Sequence, residues 1–173
     1  MSDPRIVASA KNQKKSGAAL QDSSRSWSVL GWIGLTFLVV GGMDFALVWF
    51  PPDLGNPEWE FGTVTQSFNG LPILLLGLGL LAVAALQTGR RWWGILGTAG
   101  SAGLLVWVLV GVVLWGRNVS LALETVPPEV SLGLKGAVAK TLLQSFAYPV
   151  LLLYMLKVGW SGARGSAAGS SPA

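Results

Sequence analysis

Apolar residues gather into four runs, at about Trp27–Phe50, Phe68–Leu86, Trp92–Trp115 and Gly136–Val158, with short polar connections between them. As a helix, each run is long enough to cross the roughly 30 Å hydrocarbon core of a bilayer. The pattern predicts an all-α integral membrane protein: a small bundle of four transmembrane helices occupying residues 27–160. The first run is about 24 residues long and follows 26 others. A cleavable signal carries an apolar core of only about 7–15 residues, so this run reads as a retained helix. Residues 1–26 mix Ser, Ala, Gln and Asp with scattered Lys and Arg, and residues 161–173 are mostly Gly, Ser and Ala. Both tails are predicted to be disordered.

Composition agrees with a bilayer environment: hydrophobic residues make up 51% and charged residues 12% of the chain, and the mean hydropathy is +0.56. More informative than the net charge of +4 is where the charges fall. Nine of the twelve basic residues lie on one side of the alternating runs: Arg5, Lys11, Lys14, Lys15, Arg25, Arg90, Arg91, Lys157 and Arg164. The other side carries Asp44, Asp53, Glu58, Glu60, Glu124 and Glu129 against Arg117, Lys135 and Lys140. By the positive-inside rule both termini are expected in the cytoplasm, which requires an even number of spans. The basic tail lacks the interleaved aromatics of a nucleic-acid-binding segment, and anionic lipid headgroups are its expected contact. A bacterial inner membrane or a thylakoid-type membrane is the expected location.

The chain has no Cys and no His. Disulfides, thiol nucleophiles, Cys/His zinc sites, imidazole bases and His-ligated haem are thereby excluded from its own residues. No Gly-rich phosphate loop, nucleophile elbow or paired intramembrane carboxylate stands in their place. The expectation is a protein without cofactor, metal or catalytic residues. Glu58 and Glu60, two apart around Trp59, read as a solvated acidic connection.

Polar residues inside the runs are few. Asp44 lies six residues before the end of run one, about 9 Å inside at 1.5 Å per residue, and Lys140 sits at a similar depth in run four. Burying either charge alone is expensive, so an Asp44–Lys140 ion pair is expected. Gln144 and Tyr148 follow Lys140 at i+4 and i+8, forming a polar stripe ahead of a kink at Pro149. That stripe reads either as a path for protons or substrate or as snorkelling and helix–helix hydrogen bonding. Run three opens with Gly94, Gly97, Thr98, Gly100, Ser101 and Gly103, and close packing against Gly70, Gly77 and Gly79 of run two is predicted. The tryptophans fall mostly at run ends, as an aromatic belt requires, with Trp107 alone deep.

The connection between runs one and two is the most distinctive string: Phe50-Pro51-Pro52-Asp53-Leu54-Gly55-Asn56-Pro57-Glu58-Trp59-Glu60-Phe61. Pro51 and Pro52 end the first helix, and Asn56-Pro57 opens a turn. Residues 62–70 are read as a short interfacial helix, leaving Pro72 in the first turn of helix two. Rigid prolines with Trp59, Glu60 and Phe61 suit a docking surface as well as a belt-anchored turn. Continued through Leu71-Pro72-Ile73-Leu74-Leu75-Leu76-Gly77-Leu78, the string resembles the HpsJ-like membrane proteins associated with exopolysaccharide secretion and exosortase systems, which show a similar PP…NPxWEF…PxPLLGL arrangement. The resemblance implies an accessory role and carries no catalytic residues.

Asn118-Val119-Ser120 is formally a glycosylation acceptor. After it, an interfacial piece with Glu124 outward and Leu121, Leu123 and Val126 downward is expected. The functional expectation is a non-enzymatic accessory or scaffold subunit of a cell-envelope or membrane complex, in contact with lipid, with other membrane subunits or with itself, and not with nucleic acid. The alternative is a small transporter or channel-like protein using Asp44, Lys140, Gln144 and Tyr148.

Overall fold

A computed structural model describes residues 4–125 and 131–168, and side chains from Arg25 onward within those segments, apart from a few residues beside the break and at the C-terminal end of the last helix. The regular elements among the described residues are all helices: α1 (Pro4–Val48), α2 (Pro57–Thr88), α3 (Arg91–Thr125) and α4 (Ser131–Ala168). Each contains a stretch long and apolar enough to cross a membrane. The bundle has an acidic end, holding the α1–α2 connection, and a basic end, holding the α2–α3 connection with Arg90 and Arg91.

Helix α2 is the spine. Half of its apolar window is buried, against 17–22% for the other three, because α1, α3 and α4 all pack on it. Its ends are sharply defined. Asn56 caps the start by accepting from the Glu58 and Trp59 amides, with Pro57 at the first position. Gly89 closes the helix with φ of 64°, a left-handed conformation that only glycine adopts without steric cost.

Several helices run further than the hydrophobic pattern predicts. Residues 4–26 continue α1 instead of forming a disordered tail, and α4 likewise runs through 161–168. Once a transmembrane helix is nucleated, adding residues is easy, and Ala, Lys, Gln, Leu and Arg are good helix formers. Helix α2 absorbs the supposed interfacial segment 62–70, so Pro72 sits in the helix interior and not in its first turn. Helix α3 absorbs Leu121–Thr125, with Leu121 and Leu123 exposed; Val126, Pro127, Pro128 and Glu129 lie outside the described residues.

The main core lies where α2, α3 and α4 meet, around Phe68, Leu71, Leu78, Val108, Tyr148 and Leu152. Towards the basic end the backbones themselves touch. A Cβ on Gly34 would stand 2.8 Å from the Gly77 carbonyl oxygen, and one on Gly77 2.9 Å from that of Gly34. A Cβ on Gly94 would stand 2.7 Å from the Ala163 nitrogen. The backbone-to-backbone approaches are α1 with α2 and α3 with α4; of the glycines predicted to pack on α2, Gly100 and Gly97 face Leu78 and Leu81 of that helix, while Gly103 faces open space. Trp93, fully buried, caps this region by stacking on Trp92 at 3.8 Å and meeting Trp32 edge-on. Trp93 and Trp115, at the ends of α3's apolar run, are turned into the core, and Trp107, midway along that run, lies on the bundle surface beside Phe45 and Trp49.

Candidate functional site

Two polar clusters occupy the half of the bundle nearest the acidic end. The first is built on the α1–α2 connection. Asn56, besides capping α2, donates its amide to Asp53 Oδ2 at 2.8 Å. Glu60, four residues on, turns back and accepts the Gly55 backbone N–H at 2.8 Å. Its other oxygen accepts from the side-chain amide of Asn118 on α3, and Asn118 Nδ2 also donates to the Leu114 carbonyl at 2.9 Å. Each carboxylate oxygen therefore has its own donor, which is how a buried carboxylate is accommodated. Glu60 ties the connection, α2 and α3 into one unit. It is not part of a solvated acidic loop.

Aromatic rings surround this tie. Trp49 donates its indole N–H to Ser67 at 2.8 Å and meets Trp59 and Trp107 edge-on, with centroids at 5.7 and 4.7 Å. Phe61 stacks on the buried Trp115. The docking surface predicted around Trp59, Glu60 and Phe61 is thus turned inward, because the helix begins at Pro57 and aims these side chains at α1 and α3. What remains exposed is the connection itself: Pro51, Pro52 and Asn56, with the apolar Phe50 and Leu54 at 76% and 68% exposure. The acceptor triplet at Asn118 is occupied likewise, since its amide nitrogen serves Glu60 and Leu114.

The second cluster joins α2 to α4. Proline lacks an amide hydrogen, so Pro72 leaves the carbonyl of Phe68, four residues earlier, without its intrahelical donor. The Tyr148 hydroxyl on α4 donates to that carbonyl at 3.1 Å. Tyr148 in turn accepts from Gln144 Nε2 at 2.8 Å, and its ring meets Phe68 edge-on. In a bilayer, where water is scarce, a neighbouring helix is the natural source of the missing donor. Three of the four polar residues predicted in the runs, Lys140, Gln144 and Tyr148, do line one seam. Gln144 Oε1 and, one turn before Asn69, Thr65 Oγ1 are buried without a hydrogen-bond partner.

The predicted Asp44–Lys140 pair does not form. Lys140 Nζ donates to Asn69 Oδ1 at 2.6 Å, whereas Asp44 flanks the next residue, its Oδ2 3.7 Å from where a Cβ on Gly70 would sit. The shared depth is real, but α1 and α4 stand on different sides of α2, which separates the two charges. Sequence reasoning missed Asn69, Asn118 and the Phe68 carbonyl. The last was detectable: Pro72 at i+4 announces a free carbonyl as soon as the helix is started at Pro57.

Among the described residues, no three His, Cys, Asp or Glu side chains gather closely enough to hold a metal ion. No family model matches the chain, nor does any curated protein or solved structure.

Proposed function

We propose that the chain is a non-enzymatic accessory or scaffold subunit of a cell-envelope membrane complex, with both termini in the cytoplasm. The observation that carries this reading is the use made of the intramembrane polar groups. Tyr148 and Gln144 serve the carbonyl that Pro72 frees, and Glu60 and Asn118 serve each other and the α1–α2 connection. These groups hold helices together, as expected of a structural component. The exposed apolar faces of α1 and α4, including Met43, Leu47, Leu143 and Phe146, supply ample area for lipid and for neighbouring subunits. The resemblance of the Pro51–Leu78 stretch to HpsJ-like proteins supports assigning the complex to exopolysaccharide secretion.

Purification in mild detergent followed by mass spectrometry tests the reading. Fixed stoichiometric partners from the envelope are expected. The unpartnered Gln144 Oε1, beside Tyr148 and one turn from the exposed Lys140, favours a second reading, a small transporter. Proton- or solute-dependent flux from the protein alone in liposomes, lost in Lys140→Ala, would establish that reading and overturn the first.

A further inference from the structure

Helix α2 is not enclosed on every side. Gln66, Asn69, Ile73, Leu76 and Val83 are exposed and recur at helical spacing, marking one continuous stripe. On one side of it α2 meets α1, through Ser67, Gly70 and Gly77; on the other it meets α4, through Phe68 and Gly79. Helix α3 lies behind, against Val64, Phe68 and Leu78. The stripe is therefore the middle of an open face built by α1, α2 and α4, with α2 between its two neighbours.

The two charges bracket this face. Asp44 on α1 is exposed, lies beside Gly70, and has no hydrogen-bond or ion-pair partner among the described residues. Lys140 on α4 is exposed beside Asn69, bonded only to a neutral amide. Since Asn69 and Gly70 are consecutive, the carboxylate and the ammonium stand at one depth on opposite flanks of the stripe. A single copy leaves both near apolar surroundings without a counter-charge, which is unfavourable in a membrane.

We propose that two copies of this chain associate through this open face, about a twofold axis parallel to the membrane normal. The membrane fixes the orientation of both copies, so only residues of equal depth can meet. Rotation by a half turn places α1 of one copy against α4 of its partner, and the reverse on the other flank. Asp44 of each copy thereby meets Lys140 of the other, giving two equivalent ion pairs, while the α2 stripes face each other at the axis. Such an isologous contact closes on itself and does not propagate into a row. The contact is between copies of this chain, so this proposal stands or falls independently of the subunit reading above.

The test uses full-length protein in liposomes, with self-association followed by fluorescence energy transfer between labelled copies. The wild type should associate, and a lone cysteine in Leu76→Cys, near the axis in this Cys-free chain, should form an intermolecular disulfide on mild oxidation. Asp44→Lys alone and Lys140→Asp alone should each associate at least about tenfold more weakly, because both flanks then carry like charges. Mixing the two variants should restore association, since every contact in the mixed pair is again between opposite charges. Restoration also demonstrates that each variant is folded. Should a reversal fail to accumulate, Asp44→Asn and Lys140→Gln serve in its place and should weaken association. Wild-type protein that stays single-copy, substitutions that leave association unchanged, or reversals whose mixture regains nothing would each overturn the proposal.

Discussion

The two ends of the bundle are held by different physics. At the basic end Gly34 meets Gly77 and Gly94 meets the Gly159–Ala163 turn with backbone against backbone, so cohesion comes from the absence of side chains. At the acidic end the helices are bridged by specific atoms: Glu60 to Gly55 and Asn118, Trp49 to Ser67, Lys140 to Asn69 and Tyr148 to the Phe68 carbonyl. Added atoms would clash with backbone at Gly34, Gly77 and Gly94 of the first end, and removed atoms would strand hydrogen-bond partners at the second.

Substitutions separate the two kinds of cohesion. Gly94→Val should have the largest effect, about 3 kcal/mol, because the new side chain meets the Ala163 backbone, which cannot rotate away. Denaturant titration of the detergent-solubilised protein measures it. At the other end Glu60→Ala should remove about 2 kcal/mol by stranding the Gly55 N–H and the Asn118 amide. Hydrogen exchange should rise first in the α1–α2 connection, and equal exchange there would dissolve the distinction between the ends. Tyr148→Phe should cost about 0.6 kcal/mol, the usual worth of an interhelical hydrogen bond in a bilayer. Gly103→Ala, in the same glycine-rich stretch as Gly94 but facing open space, should change stability by less than about 0.5 kcal/mol. A Gly103 effect as large as that of Gly94 would mean that glycine acts there through helix propensity and not through contact.

The four helices were legible because apolar run length is a strong signal that no tertiary contact overrides. The pairings were not. Gly77 and Gly94 announce that something comes close without saying which helix, and it is α1 for the first and α4 for the second. Asp44 and Lys140 have the same depth in the sequence, but depth says nothing about the angle around the bundle, and α2 stands between them. The polarity of Pro57–Phe61 matches that of a connection. Asn56 followed by Pro57 is equally a helix start, and starting the helix there turns Glu60 and Phe61 inward. Much of this same stretch is occupied in holding α1, α2 and α3 together.

Polar groups within the spans hold helices together, most clearly in the bond that Tyr148 makes to a carbonyl freed by Pro72. Replacing Pro72 by Ala restores an amide hydrogen within α2, so the carbonyl of Phe68 no longer needs a donor from α4. Unfolding free energies of the wild type, Tyr148→Phe, Pro72→Ala and the double variant should show the tyrosine substitution destabilising only when Pro72 is present. Equal losses in both backgrounds would show that the bond does not answer the carbonyl freed by Pro72, leaving the Tyr148 hydroxyl free for another role.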